Sequence, residues 1–356
     1  MEQLDLPRIG MLPAGGLDSI GDVPGVTVGH FTLAQGARQT GVTVVRPHEG
    51  DPFRNKVPAA ATVLNGFGKS CGLIQVEELG VLETPIALTN TFAVGAVANA
   101  QIRQAIAANP EIGRAWPTVN PLVFECNDGY LNDIQAQAVA EAHYEQAWRG
   151  AASVFEQGSV GAGRGMSSFG FKGGIGSASR LAEAYPGQRY TVGALVLSNF
   201  GQRSSMTIAG RPFGRRLAAA ARDGEPAGQP EKGSIILLLA TDAPLDSRQL
   251  RRLSLRAGAG LARTGSVFGH GSGDIALAFS TAYTIPHLAE RGMPVQVMLH
   301  ETRIDALFEA AAEAVEQAIV AALWRAETVA GRDGHVRRAI REAAPQWRQW
   351  LAETAF

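Results

Sequence analysis

Gly233 and Ser234 stand at an abrupt change in the sequence, where a polar stretch rich in proline and glycine (223–232) meets a wholly apolar run (235–240). The apolar run predicts a buried strand, and the breaker residues before it predict a loop. If the peptide bond between the two residues is cut, Ser234 gains an α-amine with a reference pKa of about 7.7–8.0. One residue then carries both a hydroxyl nucleophile and a base, which is the arrangement of an N-terminal nucleophile. Taken alone, the motif fits a plain loop-to-strand junction more simply.

Four other polar residues stand in turns or at the ends of apolar runs. Ser272 and Asp274 belong to GHGSGDI, Asn199 ends the run in LVLSNFG, and Glu125 ends PLVFE. As bare sequence, the serine and aspartate fit a turn in which each side chain bonds its own backbone, and the asparagine fits a turn that ends a strand. Their chemistry therefore has to be argued from the rest of the chain.

Seven ordered blocks carry a resemblance to a known family. They are GDVPGVTVGH (21–30), TGVTVVRP (40–47), ETPIALTNTFAVG (83–95), ECNDGYLNDI (125–134), GSVGAGRGM with FKGGIGSASR, KGSIILLLATDAPL, and RTGSVFGHGSGDIALAFST. Over about residues 8–300 the chain resembles the self-processing aminopeptidases typified by the L-aminopeptidase/D-Ala-esterase/amidase (DmpA) and the β-peptidyl aminopeptidases. The resemblance implies a hydrolase that needs no cofactor and removes small N-terminal residues from peptides, amides or esters through an acyl-enzyme on Ser234.

The resemblance also implies a role for each candidate residue. Ser234 attacks the carbonyl of Gly233 and divides the single domain 1–356 into an α chain (1–233) and a β chain (234–356). A glycine suits the scissile bond because it has no side chain and tolerates unusual φ and ψ. Ser272 and Asp274 support the nucleophile, and the acid orients and partly balances the ammonium that forms during proton transfer.

Two further roles concern the substrate. The side-chain NH₂ of Asn199 corresponds to an oxyanion-hole donor. Glu125 corresponds to the carboxylate that binds the free amine of the substrate, the feature that makes such an enzyme an aminopeptidase. Asn90 and Thr91 are candidates to line the site, although Thr91 is equally well explained as a helix N-cap.

Asn127 is a departure from the family pattern, which often has a tyrosine there as the second oxyanion donor. An amide can donate a hydrogen bond, but it reaches less far than a phenol. The preference among L-, D- and β-amino substrates therefore cannot be carried over. Tyr130 is the alternative to the missing tyrosine, although its spacing argues against that role.

Two alternatives remain open. The ornithine acetyltransferase type also cleaves itself before a hydroxyl residue that is followed by an apolar strand and a T-D-A motif like 241–243, but it normally places Thr at the nucleophile. The second alternative is an uncleaved, non-enzymatic binding protein on the same scaffold.

Strand-like and helical runs alternate along the chain, which indicates mixed α and β structure. The four-layer αββα sandwich is implied by the resemblance. Strands are predicted over 26–28, 43–45, 61–64, 84–89, 121–125, 191–197, 234–240, 275–280 and 295–298. Helices are predicted over 92–107, 131–148, 248–263 with Asp246 or Ser247 as N-cap, and 303–326.

Composition mainly excludes partners. A chain of 356 residues with 32 basic and 33 acidic residues offers no bulk attraction to nucleic acid or to an anionic membrane. Seven scattered histidines, without HExxH or a Cys/His cluster, imply no metal. The glycine-rich stretches lack the G-x-x-x-x-G-K-[ST] pattern of a phosphate loop, so we interpret them as loops packed close to the nucleophile.

The compartment is predicted to be the cytoplasm. No apolar stretch reads as a signal peptide or a membrane span. Cys71 and Cys126 need no disulfide, and Cys126 is interpreted as a buried structural residue rather than a thiol nucleophile. The family suggests a homotetramer of αβ units.

Overall fold

The computed structural model describes residues 5–220 and 232–352. The predicted loop 223–232 therefore lies, except for Lys232, outside the described residues. The strands are β1 Thr27–Gln35, β2 Arg38–Arg46, β3 Asn55–Gly66, β4 Val81–Leu82, β5 Ile86–Asn90, β6 Leu122–Cys126, β7 Ser167–Ser168, β8 Phe171–Lys172, β9 Gly174–Tyr185, β10 Gln188–Asn199, β11 Lys232–Thr241, β12 Gly271–Ser280, β13 Ile285–Pro286, β14 Val329–Ala330 and β15 Val336–Arg337. The helices are α1 Leu73–Leu79, α2 Val94–Ala108, α3 Glu141–Arg149, α4 Phe213–Ala220, α5 Ser247–Arg263, α6 Asp305–Trp324, α7 Ile340–Ala343 and α8 Trp347–Ala352.

Two sheets form the centre of the described fold. One has four strands in the order β1-β2-β5-β6, and the other has seven, in the order β13-β3-β12-β11-β10-β9 with β4 paired to β3. Strand β11 is central in the larger sheet, antiparallel to β10 and parallel to β12. Its residues 235–240 are all fully buried, as the continuous apolar run predicts.

The side-chain alternation along β11 shows how the layers stack. Ile236 and Leu238 pack against residues of the four-stranded sheet, whereas Leu237 and Leu239 pack against the helices α5 and α6. The outer face of the four-stranded sheet is covered by α2 and α3. The order is helices, sheet, sheet, helices, which confirms the predicted αββα sandwich.

One predicted helix is wrong over half its length. The segment 131–148 is α-helical only from Glu141 onward, in α3; before it lies a single 3-10 turn, Ile134–Ala136, and tertiary hydrogen bonds hold this part of the chain. The side chain of Asn132 accepts from Gln39 N at 3.1 Å and donates to Asp128 at 3.0 Å, and Gln137 has φ +45°. These contacts outweigh the local helical tendency.

The predicted strand 295–298 is also wrong. Val295 and Val297 are 98% and 90% exposed, and the segment pairs with no strand of the described chain. An apolar alternation needs a partner strand to become a ladder, and the nearest strand before it in the chain, β13, pairs over only two residues. The long strand β9 was not predicted.

Helix starts are set by capping side chains. Asp246 caps α5 by accepting from Gln249 N at 2.7 Å, as predicted. Asn90, rather than Thr91, caps the turn that leads into α2, because its side chain accepts from Phe92 N and Ala93 N.

Across residues 5–220 and 232–352, none of the helices combines the length and the apolar character needed to cross a membrane.

Candidate active site

Ser234 lies at the start of β11, between the last residue of β10 and the beginning of β12. Its register partners are Asn199 and Gly273, and it is 6% exposed. The hydroxyl donates to the carbonyl oxygen of Gly233 at 2.7 Å and accepts from Gly273 N at 3.1 Å. The oxygen is thus already in contact with the carbonyl group that the sequence predicts it to attack.

Gly233 has a backbone conformation and a setting that exclude a side chain. Its φ is +144°, which L side chains rarely adopt, and a Cβ would lie 2.2 Å from the carbonyl oxygen of Asn199. The expected tolerance of unusual φ at this position is therefore matched by its geometry.

Asn199 is oriented by two hydrogen bonds. Its Oδ1 accepts from Ser167 N at 2.8 Å, and its Nδ2 donates to the carbonyl oxygen of Asn127 at 3.0 Å. The first bond fixes which end of the amide is oxygen, so the NH₂ group lies on the side of Asn127. Because Asn199 and Ser234 are paired across two strands, their side chains share one face of the sheet.

A buried lysine holds the glycine-rich loops around this amide. Lys172 Nζ donates to the carbonyl oxygens of Gly163 and Gly173, both at 2.8 Å, and burial lowers its pKa well below the usual value. Lys172 also pairs in register with Ser167, whose N–H orients Asn199. The glycine-rich sequence predicts loops close to Ser234, but no sequence pattern singles out Lys172 or Ser167.

Ser272 and Asp274 form a fully buried pair in which the serine hydroxyl donates to the carboxylate at 2.5 Å. Gly273, between them, shares the face of Ser234 Oγ, so the pair points to the opposite face of the sheet. Ser272 is the register partner of Gly233. The pair therefore lies beside the peptide bond that is predicted to be cut, rather than beside the Ser234 hydroxyl.

Glu125 lies near the end of β6, is 3% exposed and receives two hydrogen bonds. Lys69 N donates to its Oε1 at 2.8 Å, and the hydroxyl of Thr91 donates to its Oε2. The loop that carries Lys69 also contacts β12, since Phe67 N donates to the carbonyl oxygen of Ser272 at 3.2 Å. This loop thus connects Glu125 with the strand beside Ser234, the predicted nucleophile. The Thr91 side chain bonds Glu125 rather than capping a helix.

Asn127 enters the site through its main chain. Its carbonyl oxygen accepts from Asn199, while its exposed side chain accepts from Gly129 N at 2.9 Å in a local turn. The bond from Gly129 N holds the Asn127 amide in this turn. Cys126 is fully buried, and burial raises the pKa of its thiol well above the usual value, which supports its structural interpretation.

Asp128 gives the stability of the fold a pH dependence that can be tested. Burial raises its pKa from 3.8 to about 7, so the folded chain holds a proton that the unfolded chain has lost. The free energy of unfolding should therefore fall by about 1.4 kcal/mol per pH unit as the pH rises between those two values. Asp128→Asn cannot ionise and should lose this slope.

The measurement is urea unfolding at pH 5 and pH 8 in a Ser234→Ala background, which lacks the hydroxyl that is predicted to cut the chain. Asp133→Asn, on the same loop, should behave like the parent chain. If Asp128→Asn lost as much stability as its parent between the two pH values, the carboxyl would not be the group that titrates.

Known proteins similar to this chain point to the same family as the sequence motifs. The family model described as Peptidase family S58 matches residues 18–337. The β-peptidyl aminopeptidase BapA of Sphingosinicella microcystinivorans is 40% identical over 344 residues, covering 90% of this chain and 85% of that protein.

Two solved structures extend the likeness to the fold. The PH0078 protein of Pyrococcus horikoshii OT3 has a TM-score of 0.90 and 47% identity, covering 98% of this chain and 97% of that one. The L-aminopeptidase D-Ala-esterase/amidase of Ochrobactrum anthropi has a TM-score of 0.86 and 36% identity, covering 98% of each chain. That structure is described as a prototype of the serine aminopeptidases and a variant of the N-terminal-nucleophile hydrolase fold.

A sandwich with a serine at the start of a central buried strand defines a hydrolase of the N-terminal-nucleophile type. The chain belongs to peptidase family S58. The sequence predictions of the fold, of the family and of a hydrolase of this type are confirmed, and the predicted aminopeptidase class agrees with the names of the relatives. The roles of individual site residues stay predictions.

Proposed function

We propose that the chain is a self-processing serine aminopeptidase that removes small N-terminal residues from peptides, amides or esters. The observation that carries the proposal is the contact of Ser234 Oγ with the carbonyl of Gly233, in a strand that also holds Asn199 as a register partner. Cleavage after Gly233 leaves residues 1–233 and 234–356 as two chains of one folded unit.

The chemistry uses the same atoms twice. In the first reaction Ser234 Oγ adds to the Gly233 carbonyl, the C–N bond breaks, and the resulting ester is hydrolysed by water. The new α-amine then accepts the hydroxyl proton when Oγ attacks a substrate, and it returns that proton to the leaving amine. The NH₂ of Asn199 donates to the oxyanion, and the Ser272–Asp274 pair lies where it can orient the ammonium.

Glu125 supplies the selectivity for a free amine. Its carboxylate is buried and already bonded by Lys69 N and by Thr91, so it is held in one orientation with lone pairs left to accept from an ammonium group. Pairing there places the following carbonyl near Ser234. The N-terminal residue is thereby bound between Glu125 and the nucleophile.

The test compares free and blocked substrates. A charge-assisted hydrogen bond is worth about 1.5–3 kcal/mol, so its loss lowers kcat/KM by roughly 10- to 150-fold. Acetylating the amine of a small chromogenic amino-acid amide and replacing Glu125→Gln should each have this effect, and the two together should cost little more than either alone. Glu83→Gln, which alters another buried glutamate, should leave the discrimination against acetylated substrate unchanged.

Equal hydrolysis of the free and the acetylated substrate by the unaltered enzyme would show that Glu125 does not bind the substrate amine and has a structural role.

An acetyl-ornithine assay distinguishes the proposed aminopeptidase from the acetyltransferase alternative, which the serine at position 234 disfavours. The absence of a cofactor, the cytoplasmic location and the homotetramer of αβ units stay predictions.

A further inference from the structure

The hairpin of β14 and β15 is bonded to the loop 127–131, whose first carbonyl oxygen accepts from Asn199. Arg332, in the turn of the hairpin, donates from Nε to the carbonyl oxygen of Gly129 at 2.7 Å. Its main-chain N–H donates to the carbonyl oxygen of Leu131 at 2.8 Å. The hairpin therefore holds one of the two partners of the Asn199 amide.

Arg337, in β15, reaches the other partner. Its Nε donates to the hydroxyl oxygen of Ser167 at 3.2 Å, and the N–H of the same serine orients Asn199. The guanidinium carbon lies 3.7 Å from the centre of the Tyr130 ring, and the ring of His335 stacks on Tyr130 with the ring centres 4.5 Å apart. A half-buried arginine that stacks on a ring keeps its planar donor group in one orientation.

We propose that Arg337 is a positioning residue for the oxyanion donor, which it holds in place through Ser167. This inference rests on the proposed function, in which the NH₂ group of Asn199 donates to the oxyanion. Such a donor is effective because it is already fixed where the charge develops and need not reorganise during the reaction. A contact that fixes its anchor therefore contributes to turnover without touching the substrate.

The position of Arg337 along the chain gives this contact a second consequence. After the proposed cleavage, Arg337 and Ser234 both belong to the β chain, whereas Ser167 and Asn199 belong to the α chain. The bond from Arg337 to Ser167 thus connects the anchor of the oxyanion donor to the chain that carries the nucleophile.

Arg337→Ala tests the proposal with a small amino-acid p-nitroanilide that the unaltered enzyme hydrolyses. Its kcat should fall by about 10- to 100-fold, because a displacement of about 1 Å at a catalytic group can cost about 10²-fold in rate. KM should stay nearly unchanged, because the proposed amine site at Glu125 keeps its bonds from Lys69 N and Thr91. Self-cleavage uses the same donor, so the half-life of the uncut precursor should lengthen as well.

The Asn199→Ala background distinguishes positioning from a general structural role. The donor is already missing there, so adding Arg337→Ala should lower kcat little further. If Arg337→Ala caused the same loss in this background as in the unaltered chain, Arg337 would act on something other than Asn199, and the proposal would be overturned.

Arg46→Ala is the matched control. Arg46 is also half-buried, lies over an aromatic ring, that of Trp148 at 5.0 Å, and donates a hydrogen bond to the carbonyl oxygen of Glu49 at 2.9 Å. It lies in β2, away from the candidate site, and its replacement should leave kcat unchanged. An equal loss in Arg46→Ala would mean that the effect at Arg337 is not specific, which would contradict the proposal.

Ser167→Ala is a second variant that does not depend on the folding of Arg337→Ala. It removes only the hydroxyl that accepts from Arg337 and keeps the N–H that orients Asn199. It should lower kcat with KM nearly unchanged, and an unchanged kcat would overturn the proposal.

Failure of this inference is distinct from failure of the proposed function. If the unaltered enzyme hydrolyses no amino-acid p-nitroanilide, or if Asn199→Ala keeps full kcat, the proposed reaction or its assigned donor is wrong, and the inference falls with it. If Asn199→Ala loses kcat while Arg337→Ala keeps it, the inference alone is wrong.

Discussion

Ser234→Ala should remain one uncut chain of 37.5 kDa without peptidase activity, whereas the unaltered protein should give two chains, the smaller beginning at Ser234. The reason is that, in the proposed mechanism, the same oxygen performs both reactions. Without Oγ there is no attack on the Gly233 carbonyl, hence no new α-amine and no base for substrate hydrolysis. Intact-mass analysis and N-terminal sequencing of purified protein measure the first effect directly.

Ser280→Ala is the matched control for this experiment. Ser280 is a buried serine at the end of β12 that lies farthest from Ser272, and its hydroxyl donates to the carbonyl oxygen of Ala243 at 2.6 Å. The control should cleave itself as the unaltered chain does. A single unbroken wild-type chain with full peptidase activity would contradict the proposal, since the base would then have to be a group other than the α-amine of Ser234.

The parts of the fold that the sequence predicts are those whose environment leaves a pattern. The run 235–240 is apolar throughout because both faces of β11 are covered. Strand β9 carries no such pattern, since it is rich in glycine, serine and alanine, and it lies directly under α6. A Cβ on Gly176 would lie 1.9 Å from the carbonyl oxygen of Ala318, so the helix needs small residues there. Small residues are weak strand signals.

Long-range hydrogen bonds account for the other differences. The helical tendency of 131–140 loses to bonds that tie this segment to residues near 37–39, which no local pattern shows. Likewise Thr91 resembles a cap in sequence, but Glu125, from a neighbouring strand, takes its hydroxyl. Local rules cannot anticipate a partner that is distant along the chain.

Only part of the candidate site could likewise be predicted from the sequence. Side chains with characteristic chemistry, such as Ser234, Asn199 and Glu125, could be named from the sequence with the help of the family resemblance. Main-chain groups could not, because their role depends on conformation rather than residue type. Ser167 N, Gly273 N and Lys69 N each contact a candidate residue, and any residue but proline supplies an N–H.

Asn199→Ala should reduce kcat by about 10²–10³ while leaving KM nearly unchanged. The amide acts on charge that develops only in the transition state, and one lost oxyanion donor costs about 2.7–4 kcal/mol in comparable acyl-transfer sites. Self-cleavage uses the same donor and should slow similarly. The half-life of the uncut precursor, followed by intact mass, is therefore a second readout on the same variant.

Asn199→Asp keeps an acceptor for Ser167 N and removes the NH₂ group, including its bond to the carbonyl oxygen of Asn127. A carboxylate can still accept from Ser167 N, which holds Oδ1 at 2.8 Å, but it has no N–H to offer an oxyanion. If Asn199 served only to anchor the loop at Ser167, the aspartate would restore activity and the alanine would not. If it is the oxyanion donor, both variants lose kcat, the aspartate at least as much because its charge opposes that of the oxyanion. Asn109→Ala, which removes a buried asparagine that bonds Arg54 and Asp51 instead, should leave kcat unchanged. Normal turnover in Asn199→Asp would therefore assign Asn199 to loop anchoring.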